Sequence, residues 1–565
     1  MEKFATIDYV IFLIYFVVVA GYGFYVYSKQ KRDSASSKDY FLAEGSLTWW
    51  AIGASLIASN ISAEQFIGMS GNGFTVGIAV AAYEWIAAIA LIIVAVWFIP
   101  VYLKNKIFTM PQFLKQRYNE TTSLIMAIFW LFLYVFVNLT SILYLGALAI
   151  SNLGGGEYFH IIMIALAVFA IVITLGGMKV IGYTDVIQVV VLIVGGLATT
   201  YIALTLVSEH FGLGKDVMAG FKQLMVDSPK HFNLIVDKPT ADSTQEEVNK
   251  YLMLPGIGMY LAGIWIVNLN YWGCNQYITQ RALGADLKTA RTGILFAGFL
   301  KLLMPVIVML PGIAAYVLYK NGALQNEMAP GGNFNPDNAY SAILGFLPNG
   351  MKGLSLAALT AAIVASLAGK ANSIATIFTM DIYNKYIDKG ASERKLINVG
   401  KVTIIISILV SVFFTWDDLL GIGGAGGFTF IQKYTGFISP GVFAMFLLGM
   451  FWKRTTGSAA IVGLITGFVL SIVFNNYAPT WFGPETFLYT AYINSAGEYE
   501  IPFQICMGLA FMFTMILMIA VSLFGPKENP KGLELDSKMF KVEPSVMVMI
   551  VITLLLVGAL YVKFW

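Results

Sequence analysis

The chain has 565 residues, of which 58% are hydrophobic and only 12% are charged. Soluble proteins carry about 25% charged residues, so this composition excludes a soluble enzyme, a disordered protein and a secreted disulfide scaffold. The net charge of +3 gives no sign of a nucleic-acid partner. Cys274 and Cys506 lie in separate apolar segments and are expected to be reduced, and the three histidines lack metal-ligand spacing.

Long apolar segments run through most of the chain. A segment of about 20 apolar residues can cross a bilayer as a helix. Continuous apolar runs lack the alternation of a β-barrel, so helices are predicted. The fold class is therefore an all-α polytopic membrane protein, and the first segment is expected to be a retained span, not a signal peptide. Fourteen spans are predicted, near residues 7–28, 47–71, 75–103, 122–150, 158–178, 181–207, 256–280, 290–319, 351–386, 397–415, 421–451, 455–475, 501–524 and 545–565.

The distribution of lysine and arginine predicts an orientation. With fourteen spans, 22 of these residues fall in loops on one side and nine on the other, five of them in the long loop at 208–255. Short loops rich in Lys and Arg stay in the cytoplasm, and long loops count for little. Both termini are therefore predicted to lie outside.

Two spans carry polar insertions where a membrane helix is normally apolar. The second span has one at residues 59–65, and the seventh has one at 268–276. The two spans lie five apart, which is the spacing of a five-helix repeat inserted a second time in inverted orientation. Interrupted helices at matching positions of two inverted halves indicate the binding site of a secondary transporter. The alternative is that these polar residues only hydrogen-bond between helices as part of their packing.

Ionisable residues also occur inside predicted spans. Each costs about 2.5–3.5 kcal/mol on insertion scales and is a functional candidate by default, although lysine can extend its ammonium to the membrane surface. Amides, a carboxylate and an ammonium close to Tyr271 and Trp272 suit a neutral polyol, whose hydroxyls both donate and accept hydrogen bonds. The ionisable candidates are Glu84, Asp185, Lys301, Lys370 and Lys433.

The segments that carry these residues resemble the sodium/solute symporter family, and within it the bacterial sodium/galactose (sodium/glucose) symporters. The resemblance extends from about residue 5 to the end of the twelfth span. It rests on several motifs in order, at residues 58–71, 83–85, 268–273, 299–301, 374–381 and 431–436.

The resemblance implies a single transporter domain over residues 1–565. Within it, two inverted five-helix repeats cover spans 2–6 (residues 47–207) and 7–11 (residues 256–451), with a discontinuous first helix in each and flanking helices outside them. It implies sugar binding by Asn60, Ser62, Gln65, Glu84, Asn268, Lys301 and Gln432. It implies an inner gate at Tyr271 and outer gate residues Met69, Tyr83 and Phe428.

A sodium site is also implied by the resemblance. Its ligands match the carbonyls of Ala58, Ile61 and Ala362 and the hydroxyl of Ser366, with Asp185 on the exit path of the ion.

The sequence departs from the relatives at this site. Ala365 stands where a second hydroxyl is expected, and Lys370 follows one turn beyond Ser366. Sodium can still bind with fewer protein ligands plus water, or the Lys370 ammonium replaces the sodium charge. Ala368 and Gly369 stand where some relatives have the serines of a second sodium site, so at most one sodium is expected. Ala87 replaces a serine of the sugar site and can change which hexose is preferred.

Together these observations predict sodium-coupled uptake of a neutral hexose, galactose or glucose, by alternating access. The partners expected are the sugar, Na⁺ and membrane lipid, in a bacterial inner membrane, with the oligomeric state open. The alternatives are a uniporter or proton-coupled transporter using Lys370, a symporter for inositol or sialic acid, and a sugar sensor. The motifs of a channel filter or of a membrane enzyme do not occur in the sequence, so a non-enzyme is predicted.

Overall fold

The computed structural model describes residues 5–30, 37–43, 47–62, 64–153, 158–329, 332, 334–422 and 427–565, and it is mostly helical. The α-helices of the described chain up to residue 210 are α1 (Thr6–Gln30), α2 (Ser37–Leu42), α3 (Trp49–Asn60), α4 (Ser70–Thr75), α5 (Ala82–Ile93), α6 (Ile99–Lys104), α7 (Met110–Arg117), α8 (Glu120–Phe132), α9 (Thr140–Leu153), α10 (Phe159–Thr174) and α11 (Gly177–His210).

Beyond residue 210 the described α-helices are α12 (Val217–Asp227), α13 (Gln245–Met253), α14 (Gly256–Leu261), α15 (Gly263–Cys274), α16 (Gln276–Leu283), α17 (Leu287–Lys301), α18 (Met304–Lys320), α19 (Gln325–Met328), α20 (Ala339–Leu344), α21 (Met351–Thr376), α22 (Glu393–Trp416), α23 (Gly427–Gly436), α24 (Ser439–Phe451), α25 (Gly457–Ile472), α26 (Ala478–Phe482), α27 (Phe503–Leu523) and α28 (Pro544–Phe564). Strands β1 (Tyr492–Ile493) and β2 (Tyr499–Glu500) pair antiparallel, with Tyr492 opposite Glu500. Thus the sequence prediction of an all-helical membrane domain is correct apart from this short hairpin.

Ten helices in the described chain are long and apolar enough to cross a membrane. They coincide with ten of the predicted spans. The bent pair Gln245–Leu261 and Gly263–Cys274, with an angle of 80°, would make an eleventh. The predicted spans at 47–71, 158–178 and 421–451 contain shorter helices. The count of fourteen and the repeats at 47–207 and 256–451 stay predictions.

The predicted interruption of the second span is confirmed. Helix α3 ends at Asn60, and Ile61 has extended backbone angles, φ −80° and ψ 107°. A π-helical segment, Glu64–Met69, then leads into α4. The last backbone carbonyls of α3 therefore lack the N–H donors that a further helical turn would supply.

The interruption of the seventh span is narrower than predicted. Helix α15 continues through Asn268 and Tyr271 to Cys274, and the chain becomes extended only at Asn275, with φ −89° and ψ 130°. Asn268 lies within this helix, and its Nδ2 donates to the carbonyl of Ile264 one turn earlier, at 3.0 Å. The prediction of an unwound stretch from 268 to 276 is therefore wrong for most of its length.

The residues form two compact units. The first unit comprises Met1–Ala81, Ala127–Phe232 and Gln280–Phe430. The second unit comprises Ala82–Met126, Asn233–Thr279 and Ile431–Trp565.

Within the first unit, small residues let helices approach closely. A Cβ added at Gly53 of α3 would stand 2.7 Å from the Gly293 carbonyl of α17, and one at Gly195 of α11 would stand 2.7 Å from Ala358 Cβ of α21. Such contacts are typical of helix packing in membranes. The start of α21 is fixed by the buried carboxylate of Asp8, whose Oδ1 accepts the N–H groups of Gly350 and Gly353 at 2.7 and 2.8 Å.

Within the second unit, the side chain of Arg117 caps the C-terminus of helix α24. Its guanidinium is buried and donates to the carbonyls of Gly449, Trp452 and Thr455 at 2.7–3.0 Å. The carbonyls of Gly449 and Trp452 are among those that a helix C-terminus leaves without partners, and Thr455 belongs to the loop that follows. Arg117 lies between the predicted spans at 75–103 and 122–150, and the structure gives this loop cation the role of a helix cap.

Candidate functional site

The end of α3 lies against α21 inside the first unit. Ser366 Oγ of α21 donates to the Ser59 carbonyl at 2.9 Å and lies 3.5 Å from the Ala58 carbonyl. A hydroxyl that donates one hydrogen bond keeps lone pairs to accept a cation. Ala58, Ile61 and Ala362 are all buried here. Carbonyl and hydroxyl oxygens at the negative end of a helix are suited to a hard cation.

A buried carboxylate lies next to this region on α11. Ser55 Oγ donates to Asp185 Oδ2 at 2.5 Å, and Arg281 Nε donates to the same Ser55 Oγ at 2.8 Å. All three side chains are at most 1% exposed. Asp185 Oδ1 is buried and has no hydrogen-bond partner among the described residues. The hydroxyl of Ser55 thus links a buried acid to a buried base and leaves one carboxylate oxygen available.

Gly369 of α21 makes room for the Arg281 guanidinium. A Cβ at this position would clash with Arg281 Nη2 and stand 2.9 Å from Ser59 Oγ. Because Ser59 belongs to the last turn of α3, the guanidinium occupies the space where α3, α16 and α21 meet.

Gly369→Ala is therefore expected to lower the melting temperature of the protein, although alanine is favoured over glycine by up to about 1 kcal/mol in a helix interior. Gly558→Ala in α28 is the matched control, since a Cβ there meets nothing within 4 Å. Circular-dichroism melts of both variants measure the difference. Equal melting temperatures for Gly369→Ala and Gly558→Ala would contradict this placement of Arg281.

A second buried cation lies one turn beyond Ser366. Lys370 is 3% exposed and interacts electrostatically with Glu64 and with Arg281. Glu64 begins the π-helical segment that follows the break, and its Oε2 accepts the Ser62 hydroxyl at 3.2 Å. Asp185 and Glu64 thus balance Arg281 and Lys370 around the interruption of the second span.

The predicted sugar ligands of the first unit are Asn60, Ser62, Gln65 and Lys301. Lys301 Nζ of α17 donates to Asn60 Oδ1, so the ammonium lies at the end of α3. Ser62 is fully buried and Gln65 is 8% exposed. The buried Oε1 of Gln65 has no partner in the part of the chain that the structure describes. The break in the second span therefore brings together several of the hydrogen-bonding groups that the sequence predicted.

Glu84, Asn268 and Gln432 belong to the second unit. Glu84 is buried in the first turn of α5, and Gln432 is half-buried in α23. The neighbouring Lys433 pairs with Glu500 of β2 at 3.2 Å, and its side chain is 36% exposed. Lys433 therefore has an acidic partner on the hairpin, and its membrane depth stays a prediction.

The predicted gate residues are placed as follows. Tyr271 is half-buried, and its ring meets the rings of Trp272 and Tyr277 edge-on, with centroids 5.0 and 5.6 Å apart. Tyr83 is buried, and its hydroxyl accepts a hydrogen bond from Gln504 Nε2 at 2.6 Å. Met69 is fully buried in the first unit. The side chain of Phe428 lies outside the described residues.

Sequence reasoning missed Arg281, Glu64 and Ser55 as members of the site. Arg281 follows an apolar segment closely and was counted as a loop cation. Glu64 gave a usable signal, since it is a carboxylate within the polar insertion of an apolar span. Ser55 gave no signal, because a single serine is common in membrane helices.

A many-helix membrane protein whose apolar helix is interrupted beside buried charges has the construction of a secondary transporter. The model of the "Sodium:solute symporter family" matches residues 40–467, and the chain belongs to this family. The chain is 41% identical to the sodium/glucose cotransporter of Vibrio parahaemolyticus, over 99% of this chain and 98% of that protein. It is 34% identical to human sodium/myo-inositol cotransporter 2, over 82% and 69% of the two chains.

A solved structure shares the fold. It is the substrate-bound, outward-open state of a Na⁺-coupled sialic acid symporter, with a TM-score of 0.74 and 21% sequence identity, covering 93% of this chain and 100% of that one. At this identity the likeness concerns the fold alone.

Proposed function

We propose that this protein takes up a neutral hexose, galactose or glucose, together with Na⁺ by alternating access. The observation that carries the proposal is the 41% identity to a sodium/glucose cotransporter over nearly the whole of both chains. The oxygen groups at the end of α3 and on α21 support the sodium part of it.

Sodium is the transported ion, and its proposed ligands are the carbonyls of Ala58, Ile61 and Ala362 and the hydroxyl of Ser366. The proposal is supported by the contact of Ser366 with the last turn of α3. Asp185 supplies negative charge to the ion, and this role is supported by its Oδ1, which has no hydrogen-bond partner among the described residues. One ion per cycle is proposed, since Ala368 and Gly369 carry no hydroxyl for a second.

The sugar is proposed to bind through Asn60, Ser62, Gln65 and Lys301. Amides and an ammonium can together donate to and accept from its hydroxyls, and the orphaned Oε1 of Gln65 supports this role. Glu84, Asn268 and Gln432 stay predicted ligands, and Tyr271, Met69, Tyr83 and Phe428 stay predicted gates.

Coupling follows from the interruption of the second span. Sodium bound between the end of α3 and α21 holds the backbone around Ile61 in place, and that backbone carries Asn60, Ser62 and Gln65. Each ligand therefore favours the state that binds the other, which is a reciprocal coupling free energy. One charge moved across 100 mV supplies about 2.3 kcal/mol, and a tenfold sodium gradient adds about 1.4 kcal/mol. One sodium can thus support a sugar gradient of roughly 500-fold.

Ala365→Ser is expected to raise the apparent sodium affinity about tenfold, because it adds a hydroxyl ligand beside Ser366. The sodium concentration that gives half-maximal sugar uptake measures the effect. Ala375→Ser is the matched control, since this alanine is equally buried on α21 and about 15 Å further along the helix. An unchanged sodium requirement in folded Ala365→Ser would contradict the proposed ligand set.

Uptake of radiolabelled galactose and glucose into proteoliposomes tests the function. A sodium gradient, a potassium gradient and a proton gradient are imposed in turn, with protein-free liposomes as the control. Accumulation above the outside concentration is expected with sodium only. Equal uptake under all three gradients would reject sodium coupling. Competition by myo-inositol but not by hexoses would show that the substrate is a cyclitol.

A second candidate is a uniporter or proton-coupled transporter in which the Lys370 ammonium replaces the sodium charge. The position of Lys370 favours it, because this buried ammonium lies one helical turn beyond Ser366 on α21. Uptake driven by a proton gradient, or downhill only, would support it. The orientation with both termini outside and the location in a bacterial inner membrane stay predictions.

A further inference from the structure

A groove opens on the first unit among the end of α1, the end of α10, the start of α11 and the first turns of α22. Its volume is about 340 Å³, within the range of small-molecule sites. The walls include Phe24 and Tyr27 of α1, Val172 of α10, Val180 of α11 and Lys401 of α22. Apart from the Tyr27 hydroxyl and the Lys401 ammonium, the lining side chains are apolar, so the groove suits a hydrocarbon chain.

The surface around the groove is apolar and exposed. Phe24 is 72% exposed and Val172 is 57% exposed. Only 22% of the apolar stretch of α1 is buried within the protein. Exposed apolar helix faces of this extent, on a membrane-crossing protein, are covered by acyl chains.

Lys401 supplies a charge in the wall of the groove. Its ammonium lies 5.9 Å from the centroid of the Tyr40 ring, and the Tyr40 hydroxyl donates to the Leu175 carbonyl at 3.1 Å. Throughout the described residues Lys401 has no ion-pair partner. A half-buried lysine beside lipid is costly unless it meets an anion or water, so this ammonium favours an anionic ligand.

The same end of these helices is basic. Lys29 lies in the last turn of α1, and Lys179 lies in the first turn of α11. Basic residues at the membrane surface attract anionic lipid by about 1 kcal/mol each.

We propose that the groove binds one anionic phospholipid, with an acyl chain against Phe24, Val172 and Val180 and its phosphate paired with Lys401. This site stands apart from the sodium and sugar residues and does not depend on the proposed substrate.

Melting of the purified full-length protein in mixed micelles tests the proposal, with phosphatidylglycerol compared with phosphatidylcholine. Native mass spectrometry counts the lipid that stays bound. Phosphatidylglycerol is expected to raise the melting temperature more than phosphatidylcholine. Lys401→Met is expected to lower the apparent affinity for phosphatidylglycerol about fivefold, whereas Lys401→Arg retains it. Inorganic phosphate is expected to give no rise.

A pair of glycines on α1 tests the acyl-chain part. Gly23 lines the groove, and a Cβ there stands 3.4 Å from Val180 Cγ1 of its wall, whereas a Cβ at Gly21 meets nothing within 4 Å. Gly23→Leu fills the groove and is expected to reduce bound phosphatidylglycerol, and Gly21→Leu is expected to leave it unchanged.

Three results would overturn the proposal. They are equal stabilisation by the two lipids in the unmodified protein, retention of the full phosphatidylglycerol effect in folded Lys401→Met, and equal stabilisation by inorganic phosphate. Should Lys401→Met fail to fold, Lys401→Gln and the glycine pair provide the same comparison.

Discussion

Asp185→Asn is expected to reduce sodium-driven sugar uptake by roughly 100-fold or more. The carboxylate is buried, shares the Ser55 hydroxyl with Arg281, and has one oxygen without a hydrogen-bond partner among the described residues. Removing it leaves the guanidinium uncompensated beside the proposed sodium ligands. Breaking a buried pair costs about 3–5 kcal/mol, and about 3 kcal/mol in sodium binding corresponds to roughly 150-fold. Proteoliposome uptake under a sodium gradient measures the loss.

The control for this prediction is Asp381→Asn. Asp381 is also a buried carboxylate of the first unit, but it pairs with Lys385 at 2.6 Å, away from the break in the second span. It is expected to keep uptake within a few-fold. If Asp185→Asn alone does not fold, the double variant Asp185→Asn with Arg281→Gln removes both charges and is expected to restore a normal melt without restoring uptake. Unchanged uptake in either folded Asp185 variant would show that Asp185 has no role in the binding or release of sodium.

Lys370→Met is expected to lower the sodium concentration for half-maximal uptake by roughly thirtyfold. Two like charges about 8 Å apart at an effective dielectric constant of 20 repel by about 2 kcal/mol, which is a factor of roughly thirty in affinity. The buried ammonium lies one helical turn from Ser366 on α21, so its charge opposes a cation there. Sodium titrations of sugar uptake measure the shift.

Glu64→Gln is expected to act in the opposite direction, because it leaves the Lys370 ammonium without its carboxylate. The double variant is expected to lie near the unmodified protein, since the two charges are removed together. Lys352→Met, also buried on α21 but about 27 Å away along the helix, is the matched control. A protein that takes up sugar without sodium, and becomes sodium-dependent only as Lys370→Met, would instead assign the ammonium as the replacement for sodium.

Several features of the site could be predicted from the sequence because their signals are local. The insertion at 59–65 breaks an apolar run of a length that a bilayer demands, and the structure ends α3 at Asn60. Asp185, Lys301 and Lys370 stood out because charge inside such a run is expensive, and all three are buried. The motifs of residues 58–71 also indicated the family to which the chain belongs.

Other features needed the tertiary structure because they depend on which side chains meet. Arg117 and Arg281 occur between predicted spans, where the sequence allows either a solvated or a buried side chain. Their hydrogen-bond partners are far away in the sequence. Arg117 donates to carbonyls at the end of α24, and Arg281 donates to Ser55. The ion pair of Lys433 also needed the tertiary structure, since its partner Glu500 lies 67 residues away on the hairpin.

By itself, the sequence determined the membrane class, most helices and the position of the break in α3, since each follows from the hydrophobicity and polarity of neighbouring residues. Only the tertiary structure decided that Ser55 joins Asp185 to Arg281, that Gly369 admits the guanidinium, and that Lys370 interacts with Glu64. The physical reason is that a buried charge is stabilised by partners far away in the chain, and hydropathy along the sequence carries no information about those partners.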